Sequence, residues 1–226
     1  MTQVSNLTNF IRQIKANGGS LKTVYDVGAC RGIWTSQMKS SVLFDSDFFL
    51  FEANPQYEPH IKQLNNQLSF FYNIGVLSSP NTKFVDFYQS GDTGDSYYKE
   101  TTAHYDNSIP TRLPCTTLDS IINQHNLPLP DFIKIDTQGS ELDIFLGGEK
   151  ALNNASLVYM ECPIINYNSG APRIGEYIAH MGSKDFIPVD VFEIHRSENV
   201  LLQIDIMFVK RSYHEKIFGK LDKIRV

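Results

Sequence analysis

Thr23–Gly32, with the sequence TVYDVGACRG, decides the fold of this 226-residue chain. Its first five residues have the β-branched and aromatic composition of a buried strand, and its glycines lead into a helical segment, Ile33–Ser40. A strand, a glycine turn and a helix in this order are typical of a doubly wound α/β sheet, in which ligands bind at the carboxyl ends of the strands. Asp26 lies at that end. Gly28 allows the sharp turn, and Gly32 lets the helix pack closely on the strand.

The turn differs from the dinucleotide-binding fingerprint G-x-G-x-x-G, because Cys30 occupies the position of the second glycine. That glycine lets a pyrophosphate approach the backbone. A ligand without phosphates, such as S-adenosylmethionine, does not need it, and an acidic group such as Asp26 can meet the ammonium of its amino-acid end. Glu52 ends the second strand, 24 residues after Gly28, which is the spacing of an acid that binds the two ribose hydroxyls of an adenosine. The alternative is a βαβ unit whose glycines only form a tight turn and whose Glu52 is a solvated charge.

Short apolar runs alternate with helical segments along the rest of the chain. The predicted strands are Thr23–Val27, Phe48–Glu52, Ser69–Tyr72, Lys83–Tyr88, Phe132–Asp136 and Leu157–Glu161, and the predicted helices are residues 5–16, Ile33–Ser40, Pro55–Leu64, Thr117–His125, Ser140–Asn153 and Arg173–Met181. Phe186–Ile194 and Val200–Val209 alternate in the manner of an antiparallel hairpin. The pattern predicts an α/β fold with a doubly wound, mostly parallel sheet and a C-terminal antiparallel hairpin, formed by one domain of residues 1–226. The polar segment Gln89–Pro110 is predicted to be a lid loop.

Composition makes several classes of protein improbable. Hydrophobic residues make up 42% of the chain, which is enough for a sizeable core. With 20 basic and 25 acidic residues the formal net charge is −5, so no nucleic-acid partner is expected. The N-terminal residues lack the apolar stretch of a secretory signal, and no run approaches the roughly 18 apolar residues of a membrane span. The three cysteines are widely spaced, which predicts reduced thiols in a cytoplasmic protein, without a disulfide framework or a zinc site.

A second group of polar residues follows the later strands. Asp136 ends one strand, Gln138 and Gly139 turn the chain into the next helix, and Glu161 ends the following strand. These positions share the carboxyl edge of the sheet, so Asp136, Gln138 and Glu161 are expected to line the crevice beside the cofactor. If the group that reacts in this crevice is a hydroxyl, it is barely acidic, and a base that accepts its proton would contribute about 10²- to 10⁴-fold in rate. Asp136 is the first candidate for that base, and Glu161 or His195 is the alternative.

The residues around Asp136 also limit the chemistry. Glu141 lies in the first turn of a helix, where a negative charge interacts favourably with the helix dipole, so a structural role is predicted for it. Enzymes that methylate amino groups commonly carry Asn/Asp-Pro-Pro-aromatic at the place of Asp136–Gly139, which here has the sequence DTQG. Asp136 and Glu161 are alternatively ligands for Mg²⁺. No clear third carboxylate accompanies them, so catalysis without a metal is preferred and no metal site is predicted.

These motifs together resemble the FkbM family of methyltransferases. The matching stretches are DVGACRG (26–32), FEANP (51–55), TTLDSI (116–121), IKIDTQGSELDIFLGGEKAL (133–152) and LVYMECP (157–163). The resemblance implies a Rossmann-like class I methyltransferase fold with a seven-stranded sheet, S-adenosylmethionine as the cofactor, and O-methylation of a hydroxyl on a sugar, glycan or small molecule. It also implies that Asp26, Gly28 and Gly32 form the turn at the methionine end, that Glu52 binds the ribose, and that Asn73–Val76 lies near the adenine.

The cofactor site predicted in this way lies on both sides of the crevice. Its residues are Asp26, Gly28, Ala29, Gly32, Glu52, Ala53, Asn54, Gly75, Asp136 and Gln138. The predicted partner is an acceptor with a hydroxyl group, and no membrane partner is expected. Two other functions on the same fold stay open at this point. One is a noncatalytic protein that binds S-adenosylmethionine, and the other is a nucleotide-dependent oxidoreductase, which the missing second glycine disfavours.

Overall fold

A sheet of seven strands runs through the computed structural model, which describes residues 3–89, 94–101 and 109–219. The strands of the chain are β1 (Thr23–Val27), β2 (Asp47–Glu52), β3 (Phe71–Ile74), β4 (Val76–Leu77), β5 (Phe84–Phe87), β6 (Thr111–Thr116), β7 (Phe132–Ile135), β8 (Leu157–Pro163), β9 (Phe186–Ser197) and β10 (Val200–Lys210). The large sheet has the order β3-β2-β1-β7-β8-β10-β9. Its strands are parallel except at β10, which is antiparallel to both β8 and β9. The predicted fold, including the closing hairpin, is confirmed.

A smaller sheet has the order β4-β6-β5, and its first strand, β4, directly follows β3 in the chain. This sheet was only partly predicted. The sequence indicated β5 but not β4 or β6. Strand β6 has the sequence TRLPCT, with polar residues and Pro114 in place of a regular apolar alternation. Proline cannot donate a hydrogen bond to a neighbouring strand, which weakens the strand pattern there, and no strand was predicted at these residues. This sheet brings Val76, Leu77 and Phe87 into the core, where all three are buried.

Helices connect the strands and cover the sheet. They are α1 (Gln3–Ala16), α2 (Ile33–Ser41), α3 (Glu58–Leu68), α4 (Leu118–His125), α5 (Glu141–Leu146), α6 (Glu149–Asn154), α7 (Ile174–Ser183) and α8 (Arg211–Phe218), with a 3₁₀ helix at Pro55–Tyr57. Two side chains cap helix N-termini: the Asn54 side chain accepts from the amide of Gln56 at 2.9 Å, and the Thr117 hydroxyl accepts from the amide of Ser120 at 3.1 Å. Helix α8 was not predicted.

The single helix predicted at Ser140–Asn153 is wrong, because the chain breaks there into α5 and α6 at two glycines. A Cβ atom on Gly147 would lie 2.3 Å from the carbonyl oxygen of Ser78, and one on Gly148 would lie 2.9 Å from the side chain of Leu118. The backbone of this corner therefore packs directly against the segment after β4. The need for glycine comes from this tertiary contact, which helical periodicity does not reveal.

Successive residues of the strands point to opposite faces of the large sheet, and each face has its own apolar cluster. Val24 of β1 and Phe132 of β7 belong to the cluster on the face that α1 and α2 cover. The residues two positions further along each strand, Asp26 and Lys134, lie on the same face, and strand pairing places them opposite one another. On this otherwise apolar face, the positions of β1 and β7 nearest the carboxyl edge of the sheet are thus occupied by a pair of charged residues.

The predicted lid, Gln89–Pro110, falls in part on residues 90–93 and 102–108, which lie outside the described residues. In the part that is described, Ser96 pairs with Tyr88, and the amide of Thr101 donates to the carbonyl oxygen of Tyr167 at 2.7 Å. The opening and closing of this segment stays a prediction.

Across the ranges that the structure describes, the helices are all too short or too polar to cross a membrane.

The glycine corner gives a first prediction. Gly147→Ala should lower the free energy of unfolding by about 1–3 kcal/mol, because the added methyl group would collide with the Ser78 carbonyl oxygen and force the backbone to move. Gly182→Ala in α7 is the matched control, since its added Cβ would meet no described atom within 4 Å beyond its chain neighbours and the backbone of its own helix. That variant should be as stable as the wild type or slightly more stable. Urea unfolding monitored by circular dichroism measures both, and equal stability of the two variants would contradict the packing argument.

Candidate active site

A cleft of about 250 Å³ opens at the carboxyl ends of β1, β2 and β7. Strand β1 lies between the other two, and the chain order reverses there, which is where doubly wound sheets bind their ligands. The predicted cofactor residues that line the cleft are Gly28, Ala29, Glu52, Ala53, Gly75, Asp136 and Gln138. The other three, Asp26, Gly32 and Asn54, lie next to the lining without forming it.

The turn after β1 comes into close contact with the turn after β7. Gly28 has a φ angle of +76°, and a Cβ atom on it would lie 1.9 Å from the carbonyl oxygen of Asp136. The amides of Gly28 and Ala29 both donate to the carbonyl oxygen of Phe51 at the end of β2. Only glycine combines this φ angle with the missing side chain. At the floor of the cleft, the backbones of the two turns therefore pack directly against one another.

Glu52 is a buried carboxylate held by the backbone of two turns. Its Oε2 accepts from the amide of Cys30 at 2.6 Å, and its Oε1 accepts from the amide of Asn54 at 2.7 Å. Burial raises the pKa of this carboxyl, and the two amides oppose the shift. Each carboxylate oxygen can accept more than one hydrogen bond, so acceptor capacity remains towards the cleft that Glu52 lines. This capacity fits a pair of neighbouring hydroxyls.

Lys134 occupies the centre of an ion cluster under the cleft. Its Nζ lies 3.3 Å from Oδ1 of Asp26 and 3.6 Å from Oδ2 of Asp136, and it donates to the carbonyl oxygen of Gly28 at 3.0 Å. The Asp26 carboxylate is fully buried and also accepts from the Thr35 hydroxyl at 2.7 Å. Burial on its own would lower the pKa of the Lys134 ammonium, but the charges of Asp26 and Asp136 outweigh it and raise that pKa. The lysine therefore stays charged and holds the two turns together.

The sequence argument missed Lys134, although a signal was present. A lysine in the middle of the apolar strand FIKI must be buried when both faces of a parallel sheet are covered. Buried charges are paired, so this lysine calls for nearby carboxylates. It also changes the role expected for Asp26, which faces the Lys134 ammonium beneath the turn.

Asp136, Gln138 and Glu161 are brought together, as expected, and the amide of Gln138 joins them. Its Nε2 donates to Oδ1 of Asp136 at 3.0 Å and to Oε2 of Glu161 at 2.9 Å. Asp136 is partly exposed to the cleft, whereas Glu161 is buried behind it. Burial, and then the charges of Asp136 and Asp205, raise the pKa of Glu161 well above its usual range. The three residues thus form a chain that leads from the cleft into the protein.

The turn that carries Gln138 is held from three sides. Gln138 has a φ angle of +56°, in the left-handed region, which is strained for a residue with a side chain. Its carbonyl oxygen accepts from the Ser96 hydroxyl at 2.9 Å and from the Asn168 side chain at 3.0 Å. Glu141 is buried below the turn and accepts from the amide of Thr137 at 2.8 Å. Its other oxygen accepts from the Tyr177 hydroxyl at 2.6 Å, so the predicted structural role of Glu141 agrees with its contacts.

Much of the cleft lining is apolar. Gly75 and Val76, from the segment predicted to lie near the adenine, belong to it together with apolar side chains. The remaining apolar and aromatic lining residues are Val27, Ile33, Trp34, Phe51, Tyr57, Leu77, Phe87, Tyr97 and Ile144. A mostly apolar cleft with a few convergent polar groups is typical of a small-molecule site. Several of these residues belong to the smaller sheet or follow it, and the sequence pattern did not select them.

His195 lies apart from the cleft lining, on β9. Its Nε2 is 3.4 Å from Oε2 of Glu193 and 3.9 Å from Oδ1 of Asp205. Burial, together with the charges of Asp136 and Glu193, raises the pKa of Asp205 to about 7. Of the three candidate bases, only Asp136 lines the cleft.

Comparison with known families gives a match over most of the chain. A family model described as the methyltransferase FkbM domain matches residues 26–188. That range begins at the carboxyl end of β1 and includes the whole cleft lining. No curated protein sequence matches the chain significantly.

Solved structures share the fold at low sequence identity. The N-terminal domain of EvdMO1, crystallised with S-adenosylhomocysteine and D-fucose, has a TM-score of 0.53 at 7% identity over 93% of this chain and 84% of that one. A Klebsiella pneumoniae protein classed with the O-methyltransferases has a TM-score of 0.52 at 14% identity, over 91% and 80% of the two chains. An FkbM methyltransferase from Methylobacillus flagellatus has a TM-score of 0.49 at 14% identity, over 84% of this chain and 43% of that chain.

The ion cluster gives a second prediction. Lys134→Met should lower the free energy of unfolding by about 3–5 kcal/mol, because it leaves the buried Asp26 carboxylate without a counter-charge. Asp26→Asn removes that charge, so the double variant should be more stable than the sum of the two single changes implies, by roughly 1–3 kcal/mol. Urea unfolding of the four proteins gives this coupling.

Lys62→Met is the control for the loss of an ammonium at the surface, since the ion pair of Lys62 within the described ranges is with Glu58, one turn earlier in α3. It should change stability little. Strictly additive effects of the Lys134 and Asp26 changes would show that the two residues do not stabilise one another.

Proposed function

Because the chain belongs to the FkbM methyltransferase family, with S-adenosylmethionine as its cofactor, we propose that it methylates a hydroxyl group of a sugar, glycan or other small polar molecule. The observation that carries this proposal is the position of Asp136. It is the only candidate base that lines the cleft, and its carboxylate is fixed on both oxygens, by Gln138 and by Lys134. The family assignment leaves no support for an oxidoreductase on this fold.

The residues of the cleft fit an adenosyl cofactor. Gly28 lets the turn after β1 pack against the Asp136 carbonyl oxygen, and residues of both turns line the cleft that the ligand would occupy. Glu52 offers acceptor capacity for two ribose hydroxyls, and the apolar lining that includes Gly75 and Val76 suits a flat, uncharged base. We assign the methionine end to the turn around Gly28 and Ala29. Asp26 supports that turn through Lys134 and does not itself form the lining.

S-adenosylmethionine supplies a methyl group bonded to a positively charged sulfur. The sulfur is a good leaving group when the methyl group is transferred. The residues of this chain therefore have two tasks: to hold the nucleophile in line, and to accept its proton. We assign the second task, accepting the proton, to Asp136, because its carboxylate is partly exposed at the cleft. Gln138 keeps Oδ1 of Asp136 in place through a 3.0 Å hydrogen bond, and the strained turn that carries Gln138 is itself fixed by Ser96 and Asn168.

Glu161 and His195 are less suited to the same task. Glu161 accepts on Oε2 from both Gln138 and Gln203, at 2.9 and 2.6 Å, and it is buried behind the lining. We assign it to positioning, because it fixes the amide that orients Asp136. His195 is on β9, away from the lining residues.

The acceptor class follows from the polar side of the cleft. Around Asp136 the cleft lining offers hydroxyls and a side-chain amide, from Ser96, Thr137 and Gln138. Such groups pair with the several hydroxyls of a sugar-like molecule at little desolvation cost. The sequence DTQG also lacks the Pro-Pro-aromatic element that grips a planar amine. These features support a polyhydroxylated acceptor over an amine.

The assignment of the ribose gives a third prediction. Glu52→Gln should weaken the binding of S-adenosylhomocysteine about tenfold or more, because an uncharged amide replaces an acceptor for two hydroxyls. Isothermal titration calorimetry measures the affinity, and NAD should show no binding at similar concentration. The same substitution should matter much less for an analogue that lacks the two ribose hydroxyls.

Comparing the two ligands with wild type and Glu52→Gln separates the loss of a ribose contact from damage to the two turns that Glu52 also holds. If Glu52→Gln weakened both ligands equally, the residue would act only through the backbone of Cys30 and Asn54. Unchanged affinity for S-adenosylhomocysteine would remove the assignment altogether.

The chemistry gives a fourth prediction. Asp136→Asn nearly preserves shape but removes the basic oxygen, so kcat should fall about 10²-fold or more while the affinity for S-adenosylhomocysteine stays within about threefold of wild type. Transfer of a labelled methyl group from S-adenosylmethionine to a panel of sugars, polyols and phenols measures turnover. Asp47→Asn makes the same chemical change at the amino end of β2, far from the cleft, and should be silent.

A matched panel of amines tests the acceptor class. Preferential labelling of amines would contradict O-methylation, and normal turnover by Asp136→Asn would move the base to another residue.

A further inference from the structure

A cluster of metal-ligating side chains lies on the terminal hairpin, outside the cleft lining. Glu193 and His195 are two residues apart on β9, and Asp205 is on β10 directly opposite Glu193. One ligand atom from each of the three lies within 4.8 Å of the other two. Irregular pairing flanks Asp205 in the hairpin, with register shifts between Leu201 and Gln203 and between Asp205 and Ile206. Residues two apart on one strand and the residue paired with the first of them share a face of the sheet, so the pairing places the three side chains on one face.

The pairing of the hairpin does not explain the surroundings of the Asp205 carboxylate. The residue is only 8% exposed, and its Oδ2 accepts from the Tyr159 hydroxyl at 3.0 Å. Its Oδ1 is buried and has no hydrogen-bond partner among the described residues. The nearest cationic candidate is Nε2 of His195 at 3.9 Å, which is too long for a hydrogen bond. A buried carboxylate oxygen without a partner is costly, so its position calls for a positively charged ligand.

The distances fit a first-row metal ion. Two ligands at about 2.1 Å from a tetrahedral zinc ion are about 3.4 Å apart. Nε2 of His195 lies 3.4 Å from Oε2 of Glu193, and its 3.9 Å distance from Oδ1 of Asp205 closes with a small rotation of a side chain. Glu193 and His195 are partly exposed, so an ion has a route from solvent and the fourth position is open to water.

We propose that Glu193, His195 and Asp205 bind one divalent cation of the zinc type, which ties β9 to β10. One imidazole and two carboxylates, without a thiolate, suit Zn²⁺, Co²⁺ and Mn²⁺ better than the all-oxygen sites of Mg²⁺ or Ca²⁺. The ligand set differs from the pair Asp136 and Glu161 considered from the sequence. The proposal is independent of methyl transfer, since it concerns residues outside the cleft lining.

Direct binding of Co²⁺ tests the proposal without an assay of activity. Untagged, metal-free protein should bind one equivalent of Co²⁺, with the visible absorption of a low-symmetry site and no thiolate charge-transfer band. The last condition excludes Cys30 and Cys115, which are partly exposed free thiols. Zn²⁺ should displace the Co²⁺ and raise the melting temperature.

Variants then assign the ligands. His195→Ala, Glu193→Gln and Asp205→Asn should each weaken Co²⁺ binding about tenfold or more, as even the loss of a supporting group around a metal does. His60→Ala, which removes an exposed histidine from α3, is the control and should bind normally. If Asp205→Asn failed to fold, the two partly exposed ligands would still decide the matter.

Wild-type affinity in His195→Ala and Glu193→Gln would overturn the proposal, and so would loss of binding in His60→Ala. Protein that binds no Co²⁺, with His195 only changing protonation, would also overturn it. The cluster would then be a histidine–carboxylate pair.

Discussion

The arrangement of the cleft depends on one buried positive charge, the ammonium of Lys134. It contacts the Gly28 carbonyl oxygen at 3.0 Å and lies 3.3 Å from Asp26 and 3.6 Å from Asp136. Asp26 belongs to β1, whereas Gly28 and Asp136 belong to the turns after β1 and β7, so the ammonium is paired with all three oxygens only when both turns have the observed conformation. An unpaired charge at this depth would cost several kcal/mol. The same interaction thus stabilises the centre of the sheet and fixes the floor of the cleft.

Different environments give neighbouring carboxylates different roles. Asp26 is fully buried and serves as the counter-charge of Lys134, Glu52 binds two backbone amides and lines the cleft, and Asp136 is partly exposed at its edge. Glu161 lies behind Asp136 and is protonated more readily, because burial and the neighbouring carboxylates raise its pKa. A proton acceptor must reach the substrate, and Asp136, which is partly exposed at the cleft and not held by backbone amides as Glu52 is, is the acid that we propose for that task. The proposed division of roles therefore depends on how deeply each carboxylate is buried as well as on residue type.

The sequence predicted the central sheet well because its strands are short apolar runs that end at glycine turns, as in TVYDVGACRG. It placed Glu52 and Asp136 at one edge because parallel strands share that edge. It failed where tertiary contacts decide the structure. Gly147 ends α5 because the Ser78 carbonyl oxygen is too close for a side chain, and the pairing of Lys134 with Asp26 follows from the register of β1 and β7. Register and close approach of backbone are not encoded in local periodicity.

A crystal structure with S-adenosylhomocysteine would test the central claim most directly, namely that the two turns joined by Lys134 form the cofactor site with Asp136 at its reactive end. The account predicts ribose hydroxyls within hydrogen-bonding distance of the Glu52 carboxylate, an amino-acid end against the backbone of Gly28 and Ala29, and the sulfur at the edge of the cleft where Asp136 is exposed. The Lys134 contacts should be unchanged. A ligand bound elsewhere, or one whose sulfur points away from Asp136, would contradict it.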